Sequence, residues 1–320
     1  MVEKVLITGG AGFIGSNTAR YLQDRDFEVL ALDDLSLGRA NNLPAGVALI
    51  QGDVADERTW QQLPAVDYVV HLAGASSAPM FPDHLPACFE NNVIGCIRVL
   101  DYARACGARR VVYASTSSVY GNVEPPLRED GPLDLPNFYA VSKYCMEQIA
   151  RMYQRQYDLD VVGLRFMSVY GPREDHKGSF ANLVSQFIWA VEDGKAPVVY
   201  GDGEQTRDFT NVRDIAQAIR RVIEHPEPLG SNVFNVGTGD SISVNCLIEL
   251  LSELMGRPIR PEHIPNPVRT GYVRQQICNI DRIRRTLGFE PLVSLREGVR
   301  EILAVREATA PRAEALTTGR

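Results

Sequence analysis

Short, near-continuous apolar runs punctuate the first half of the chain: Val5-Leu6-Ile7, Val29-Leu30-Ala31-Leu32, Ala48-Leu49-Ile50, Tyr68-Val69-Val70 and Val111-Val112-Tyr113-Ala114. Such runs suit strands covered on both faces. Between them, apolar positions recur every three or four residues, the spacing of amphipathic helices. The pattern predicts strands over 5–8, 28–33, 48–54, 67–74 and 110–116. It predicts helices from Phe13, over 56–63, over 88–106 with Gly107 as the stop, and over 138–157 with Asn137 as the N-cap. Segment 76–86 carries three prolines and reads as a loop. Strands alternating with helices at this spacing predict an α/β fold, a doubly wound parallel sheet. From Arg306 the pattern lapses, so 306–320 reads as a frayed tail.

The first strand breaks into Gly9, Gly12 and Gly15, spaced three apart, where it turns into a helix. Gly9 lets the chain reverse, Gly12 lets backbone approach a pyrophosphate, and Gly15 lets helix pack on strand. The N–H groups of Phe13 and Ile14, at the positive end of the helix dipole, then face the anion. Asp33 ends the second strand 24 residues after Gly9, the place for a carboxylate that binds the adenosine ribose and repels a 2′-phosphate. NAD is the cofactor this implies. Asp34, Ser36 and the Gly38 backbone follow as adenosine-side contacts, although a solvated loop explains Ser36 as well. Asp53-Val54 and Leu72-Ala73-Gly74 end further strands along the same crevice, with Asp53 placed to accept from the adenine amino group. Asn92 is either an internal hydrogen-bonding device or a cofactor contact.

Net charge is −7 with no block of Lys or Arg, which argues against a nucleic-acid partner. The six cysteines and five histidines are scattered, without metal-ligand spacing, so no metal is expected. No apolar run has the length of a membrane span, and the chain enters its first strand without a signal-like segment. A cytoplasmic location is the expectation.

Tyr139 and Lys143 lie four apart, on one face of the helix over 138–157. An ammonium beside a phenol favours tyrosinate, which makes the tyrosine a usable base. Thr116, or in second place Ser115, comes to the same substrate oxygen from the end of the fifth strand. These stretches, Thr8 to Gly15, Ser115 to Gly121 and Tyr139 to Lys143, resemble the extended short-chain dehydrogenase/reductases of the NAD-dependent epimerase/dehydratase type, and most closely the nucleotide-sugar 4-epimerases. The resemblance continues through Arg165–Arg173 (RFMSVYGPR) and Gly201–Phe209 (GDGEQTRDF) to about Leu303. It implies Tyr139 as the acid/base, Lys143 as the group that lowers its pKa and grips the nicotinamide ribose, and Thr116 as the partner at the substrate hydroxyl.

The same resemblance implies an NAD-binding Rossmann domain of residues 1–167 plus about 205–244, and a smaller sugar-binding α/β lobe of about 168–204 plus 245–305. Substrate contacts implied are Ser117, Ser118, Ser168, Tyr200 stacked on uracil, Arg207 and Arg269 on the diphosphate, and Gln276 at the wall of the sugar pocket. Each has a plainer reading, a core tyrosine for Tyr200 and an Arg207–Asp208 ion pair among them. Ser168 stands where the family usually has Asn, and Tyr272 where it has Asp. A homodimer through helices 88–106 and 138–157 is also implied.

The function expected is 4-epimerisation of a UDP-hexose or UDP-N-acetylhexosamine through a 4-keto sugar. Dehydratases of this kind place Asp-Glu directly after the catalytic Thr, where this chain has Ser117-Ser118; an elimination that used Glu124 or Cys145 stays open. A UDP-glucuronate 4-epimerase usually presents an additional Arg after His71 or after the G-P-R turn. Here Ala78-Pro79-Met80 and Glu174-Asp175 stand there, which favours a neutral sugar. A non-catalytic NAD-binding regulatory module is the remote alternative, and Tyr139 with Lys143 argues against it.

Overall fold

The computed structural model describes residues 2–268 and 272–309 of the 320-residue chain. Strands β1 (Lys4–Thr8), β2 (Glu28–Asp33), β3 (Ala48–Gln51), β4 (Tyr68–His71), β5 (Arg110–Thr116), β6 (Val161–Phe166) and β11 (Val233–Val236) form one seven-stranded parallel sheet, ordered β3-β2-β1-β4-β5-β6-β11. The order reverses between β1 and β4, which opens a crevice at the carboxyl edge. Successive residues of β1 serve opposite faces. Val5 and Ile7 join the core beneath α1 (Phe13–Gln23) and α7 (Val212–Ile223); Leu6 joins the core beneath α4 (Gly95–Cys106) and α5 (Phe138–Tyr157). Near-continuous apolar strands follow from that double covering.

The remaining elements are α2 (Glu57–Trp60), α3 (Phe81–Phe89), α6 (Leu183–Glu192), α8 (Val244–Leu254), α9 (Asp281–Leu287) and α10 (Leu295–Thr309). Short strands pair as β7 (Ser168–Tyr170) with β10 (Phe209–Asn211), β8 (Val198–Tyr200) with β13 (Glu262–Ile264), and β9 (Thr206–Arg207) with β12 (Ile242–Ser243). A separate apolar cluster gathers Tyr170, Phe187, Ile188, Val199, Leu247, Leu251 and Ile302.

Three expectations are corrected. Strands β3 and β4 stop at Gln51 and His71, short of 54 and 74. There the chain leaves the sheet, with the Ala73 N–H donating to the Thr8 hydroxyl (3.3 Å). Segment 76–86 is not a loop, because Pro79 and Pro82 occupy the first positions of a 3-10 turn (Ala78–Met80) and of α3, where no N–H is required. Pro86 is absorbed by a kink at His84, and a π-helical turn, Glu90–Ile94, joins α3 to α4. The tail expected to fray from Arg306 continues α10 to Thr309, where Arg306 pairs with Glu192 and Asp175. Residues 310–320 lie outside the described residues.

Candidate active site

At the crevice, β1 turns into α1 through the three glycines. Gly9 adopts φ +67°, and a Cβ on it would lie 2.7 Å from the Ala73 nitrogen; one on Gly15 would lie 2.0 Å from the Gly9 carbonyl oxygen. Neither place admits a side chain. Gly12 is the N-cap of α1 without any side-chain capping bond, so the first N–H groups of the helix remain for an anion. Asp33, buried at the end of β2, accepts from Ala11 N–H through Oδ2 and from Leu35 N–H through Oδ1, both at 2.9 Å. Burial pushes its pKa up while these N–H groups pull it down. A carboxylate has about four acceptor sites, so the pinned group keeps capacity for two ribose hydroxyls. These residues fit a dinucleotide.

The other candidates on this side divide. Asp34 Oδ1 accepts from the Ser36 N–H and hydroxyl in an exposed loop, and Asp53 Oδ1 accepts from Ala55 N–H. Gly38 lies against Asp33, where a Cβ would sit 2.8 Å from Oδ1. Val54 is buried, and Leu72, Ala73 and Gly74 follow β4 into the crevice. Of the two readings of Asn92, the internal hydrogen-bonding device is the one its partners display. Its amide is spent internally, accepting from Ala75 N–H (2.7 Å) and donating to the Ala75 carbonyl (3.2 Å) and the Ser142 hydroxyl (2.9 Å). The π turn aims it at both.

Asn137 caps α5 by accepting from Ala140 N–H at 2.9 Å, and the helix brings Tyr139 and Lys143, both buried, onto the end of β5. The Thr116 hydroxyl is the neighbour that pulls the Tyr139 phenol towards ionisation. Ser115 does not share that role, because its hydroxyl donates to Glu147 at 2.6 Å. Lys143 Nζ donates to the Ala114 carbonyl at 3.2 Å, and burial lowers its pKa to about 8. Tyr139 is shifted up by burial, with Thr116 pulling it back. The lowering expected from Lys143 is therefore not present in the protein alone: the ammonium is committed to β5, and Thr116 supplies the tilt towards phenolate. Phe81, from the segment expected to be a loop, packs its ring 5.8 Å from that of Tyr139. His71 is held neutral, its pKa lowered to about 3 by burial and then by Lys143.

On the opposite wall Gln276 joins two other candidates. Its Nε2 donates to the Ser117 hydroxyl at 2.8 Å, and its Oε1 accepts from Ser168 at 2.9 Å. Ser118 uses its N–H on Thr116 Oγ1. Tyr200 is 37% exposed, which sets aside the reading of a core tyrosine. Arg207 does not pair with Asp208, which instead accepts from Thr238, Gly239 and Cys278. The Arg207 guanidinium lies 5.6 Å from the Tyr272 ring centroid and donates to the Thr206 carbonyl at 2.7 Å. Burial lowers its pKa. Among the described residues no carboxylate is recorded against it, which suits a cation kept for an anionic ligand. Arg269 lies outside the described residues.

Two buried charges escaped the sequence reading. Glu147 and Arg165 form a paired fork beneath the Tyr139 helix. Glu147 stands one turn beyond Lys143 on the same face, and a carboxylate there is the signal that could have found it. No cluster of metal-ligating side chains occurs among the described residues, and no described helix is long and apolar enough to cross a membrane.

Residues 5–237 match the model of the NAD dependent epimerase/dehydratase family. A UDP-glucose 4-epimerase of Mycolicibacterium smegmatis is 35% identical over 306 residues, covering 92% of this chain and 96% of that protein. The solved UDP-glucose 4-epimerase of Thermotoga maritima, bound to UDP-glucose, superposes with a TM-score of 0.91 at 31% identity, over 96% of this chain and 100% of that one. A UDP-N-acetylglucosamine 4-epimerase of Methanobrevibacter ruminantium, solved with UDP-N-acetylmuramic acid, gives 0.89 at 31% identity, over 96% and 99%.

Proposed function

The chain belongs to the NAD-dependent epimerase/dehydratase family, and from that premise we propose that it is an isomerase that inverts carbon 4 of a UDP-linked hexose or N-acetylhexosamine. The observation that carries the reading is one geometric fact. A buried tyrosine, followed one turn on by Lys143 and set by its helix against the end of the strand that carries Thr116, stands at the carboxyl edge of the sheet that also holds the glycine cradle and Asp33. Tyr139 takes the proton of the sugar's 4-hydroxyl, and Thr116 holds the same oxygen. NAD, held by the glycine cradle and Asp33, would supply the reversible hydride acceptance at carbon 4 that the protein's own side chains lack. For inversion the 4-keto sugar would have to present its other face, and Tyr139 would then return the proton to the same oxygen, still held by Thr116.

Gly9, Gly12, Gly15 and the N–H groups of Phe13 and Ile14 hold the pyrophosphate in this reading, and Asp33 the adenosine ribose. Arg207 holds the substrate diphosphate, and Tyr200 its base. The exposed face of Tyr200 and the uncompensated Arg207 support those roles. Dehydration is disfavoured because Ser117, which stands where an acid is needed, carries no carboxyl group and its hydroxyl accepts from Gln276 Nε2. Incubation with UDP-glucose, UDP-N-acetylglucosamine and UDP-glucuronate in deuterated water, followed by NMR, tests the proposal. A C4 epimer of a neutral sugar without deuterium is expected. Loss of water, deuterium beside carbon 4, or turnover of the glucuronate alone would replace the reading with one of its alternatives.

The division into an NAD-binding domain (1–167, 205–244) and a sugar lobe (168–204, 245–305) belongs to the same proposal, supported by the apolar cluster of α6, α8 and α10, which Phe209 and Val244 also join. Its bounds are corrected at Cys278, Ile280, Ile283, Leu287 and Phe289, which pack into the core of the main sheet. A homodimer packed through α4 and α5 belongs to the proposal too. Ile94, next to α4, and Phe138 and Met152 on α5 leave large apolar side chains in water, which a partner copy would cover. Light scattering should read twice the 35.4 kDa chain mass, and a single-chain mass at micromolar protein would rule the dimer out. A cytoplasmic location completes it, supported by six unpaired cysteines; recovery in an exported or membrane fraction would count against it.

A further inference from the structure

We propose that Glu147 is a positioning residue, which holds the Tyr139 helix in register with the strand that carries Thr116 by gripping Ser115 and Arg165. The proposal rests on the catalytic reading of Tyr139 and Thr116 above. Tyr139, Lys143 and Glu147 follow at successive turns along one buried face of α5. Eight residues along a helix is about 12 Å, so Glu147 does not touch the reacting atoms. It acts on them through β5. Its Oε1 accepts from the Ser115 hydroxyl at 2.6 Å and from Arg165 Nε at 2.9 Å, and its Oε2 accepts from Arg165 Nη2 at 2.7 Å. Ser115 is the residue directly before Thr116 on β5, and Arg165 lies opposite it on β6. One carboxylate thus ties the helix to two adjacent strands.

The grip is itself anchored. Arg165 Nη1 donates to the Tyr120 hydroxyl at 2.9 Å, and Tyr120 donates to Asn235 at 2.7 Å on β11, with all of these side chains buried. Burying a charge pair is expensive, and well-packed apolar residues hold a helix to a sheet at lower cost. Apolar contacts leave a helix free to slide or turn by small amounts, whereas a fork of three hydrogen bonds has one register. That register sets how Tyr139, eight residues before Glu147 on the buried face of α5, meets Thr116, the residue after Ser115 on β5.

The test uses the full chain loaded with NAD. Tyrosinate absorbance is titrated in the ultraviolet, and the difference from Tyr139→Phe isolates Tyr139; rates are read with UDP-glucose. Ser115→Ala should move the Tyr139 pKa up by about one unit, the scale of a hydrogen bond to a charged group. It should also slow turnover roughly tenfold with KM within about twofold, a fraction of the loss that 1 Å of misplacement brings. The double variant Glu147→Leu with Arg165→Met, which removes the charge pair without stranding either partner, should show the same pKa shift. An unmoved Tyr139 titration in either variant overturns the proposal, whatever happens to melting temperature. If Tyr139→Phe keeps parental activity, the catalytic reading fails instead; if it is inactive while Ser115→Ala titrates like the parent, only the positioning claim fails.

Discussion

Tyr139→Phe is expected to reduce turnover roughly 10²- to 10⁴-fold, the range attributed to one positioned acid/base, while the protein stays folded and still binds NAD. The change deletes one hydroxyl and keeps the ring, which continues to pack beside Phe81. Burial makes this tyrosine harder to ionise than a free one, so the unliganded protein holds it neutral. Working at neutral pH demands a positive charge that the protein alone does not bring to the phenol, such as the one oxidised nicotinamide would carry. The parent's kcat should therefore rise with pH as Tyr139 ionises, and that limb should vanish in the variant. Initial rates by NMR across a pH series check both statements. A Phe variant within tenfold of the parent would transfer the acid/base role to another group, with Thr116 first in line.

Lys143→Met is expected to change activity and stability in opposite directions. Turnover should fall by roughly 10²-fold or more, because the group expected to grip the nicotinamide ribose beside Tyr139 is gone. Stability of the NAD-free protein at pH 7 should rise by up to about 3 kcal/mol, the equivalent of the drop in the Lys143 pKa from its ordinary 10.5 to about 8. Burial disfavours the ammonium, so the unfolded chain binds the proton more tightly than the folded one. The penalty is fully present below pH 8, where both states are protonated, and fades as pH rises from about 8 to above 10.5. Urea unfolding of parent and variant at pH 7 and pH 10 measures it. Equal stabilities at both pH values would mean that the ammonium carries no such strain. A site that destabilises its own fold follows the usual exchange of stability for function.

Where signals are local, the chain could be read directly. Strand 110–116 and helix 138–157 emerge at the bounds the sequence predicts, because the apolar run in one and the Asn137 cap in the other act within a turn of themselves. Segment 76–86 reads as a loop because proline breaks a helix from its interior. Its first two prolines sit where a helix needs no N–H. That choice of conformation is made by packing, since Phe81 belongs to the apolar cluster around Tyr139. Asn92 shows the same limit: an amide reads alike whether it faces a ligand or the chain, and only the π turn directs it to Ala75 and Ser142.

By itself the order of residues determined the alternation of strand and helix, the glycine turn with its acid 24 positions later, and the pairing of Tyr139 with Lys143 on one helical face. Each depends on neighbours within a turn or a strand, where backbone geometry leaves few choices. Only the tertiary structure decided which hydroxyl faces Tyr139, where the Lys143 ammonium is spent, and that Glu147, Ser115 and Arg165 form one grip. Those outcomes turn on contacts between residues far apart along the chain and on burial, which shifts both the tyrosine and the lysine against their own charged forms.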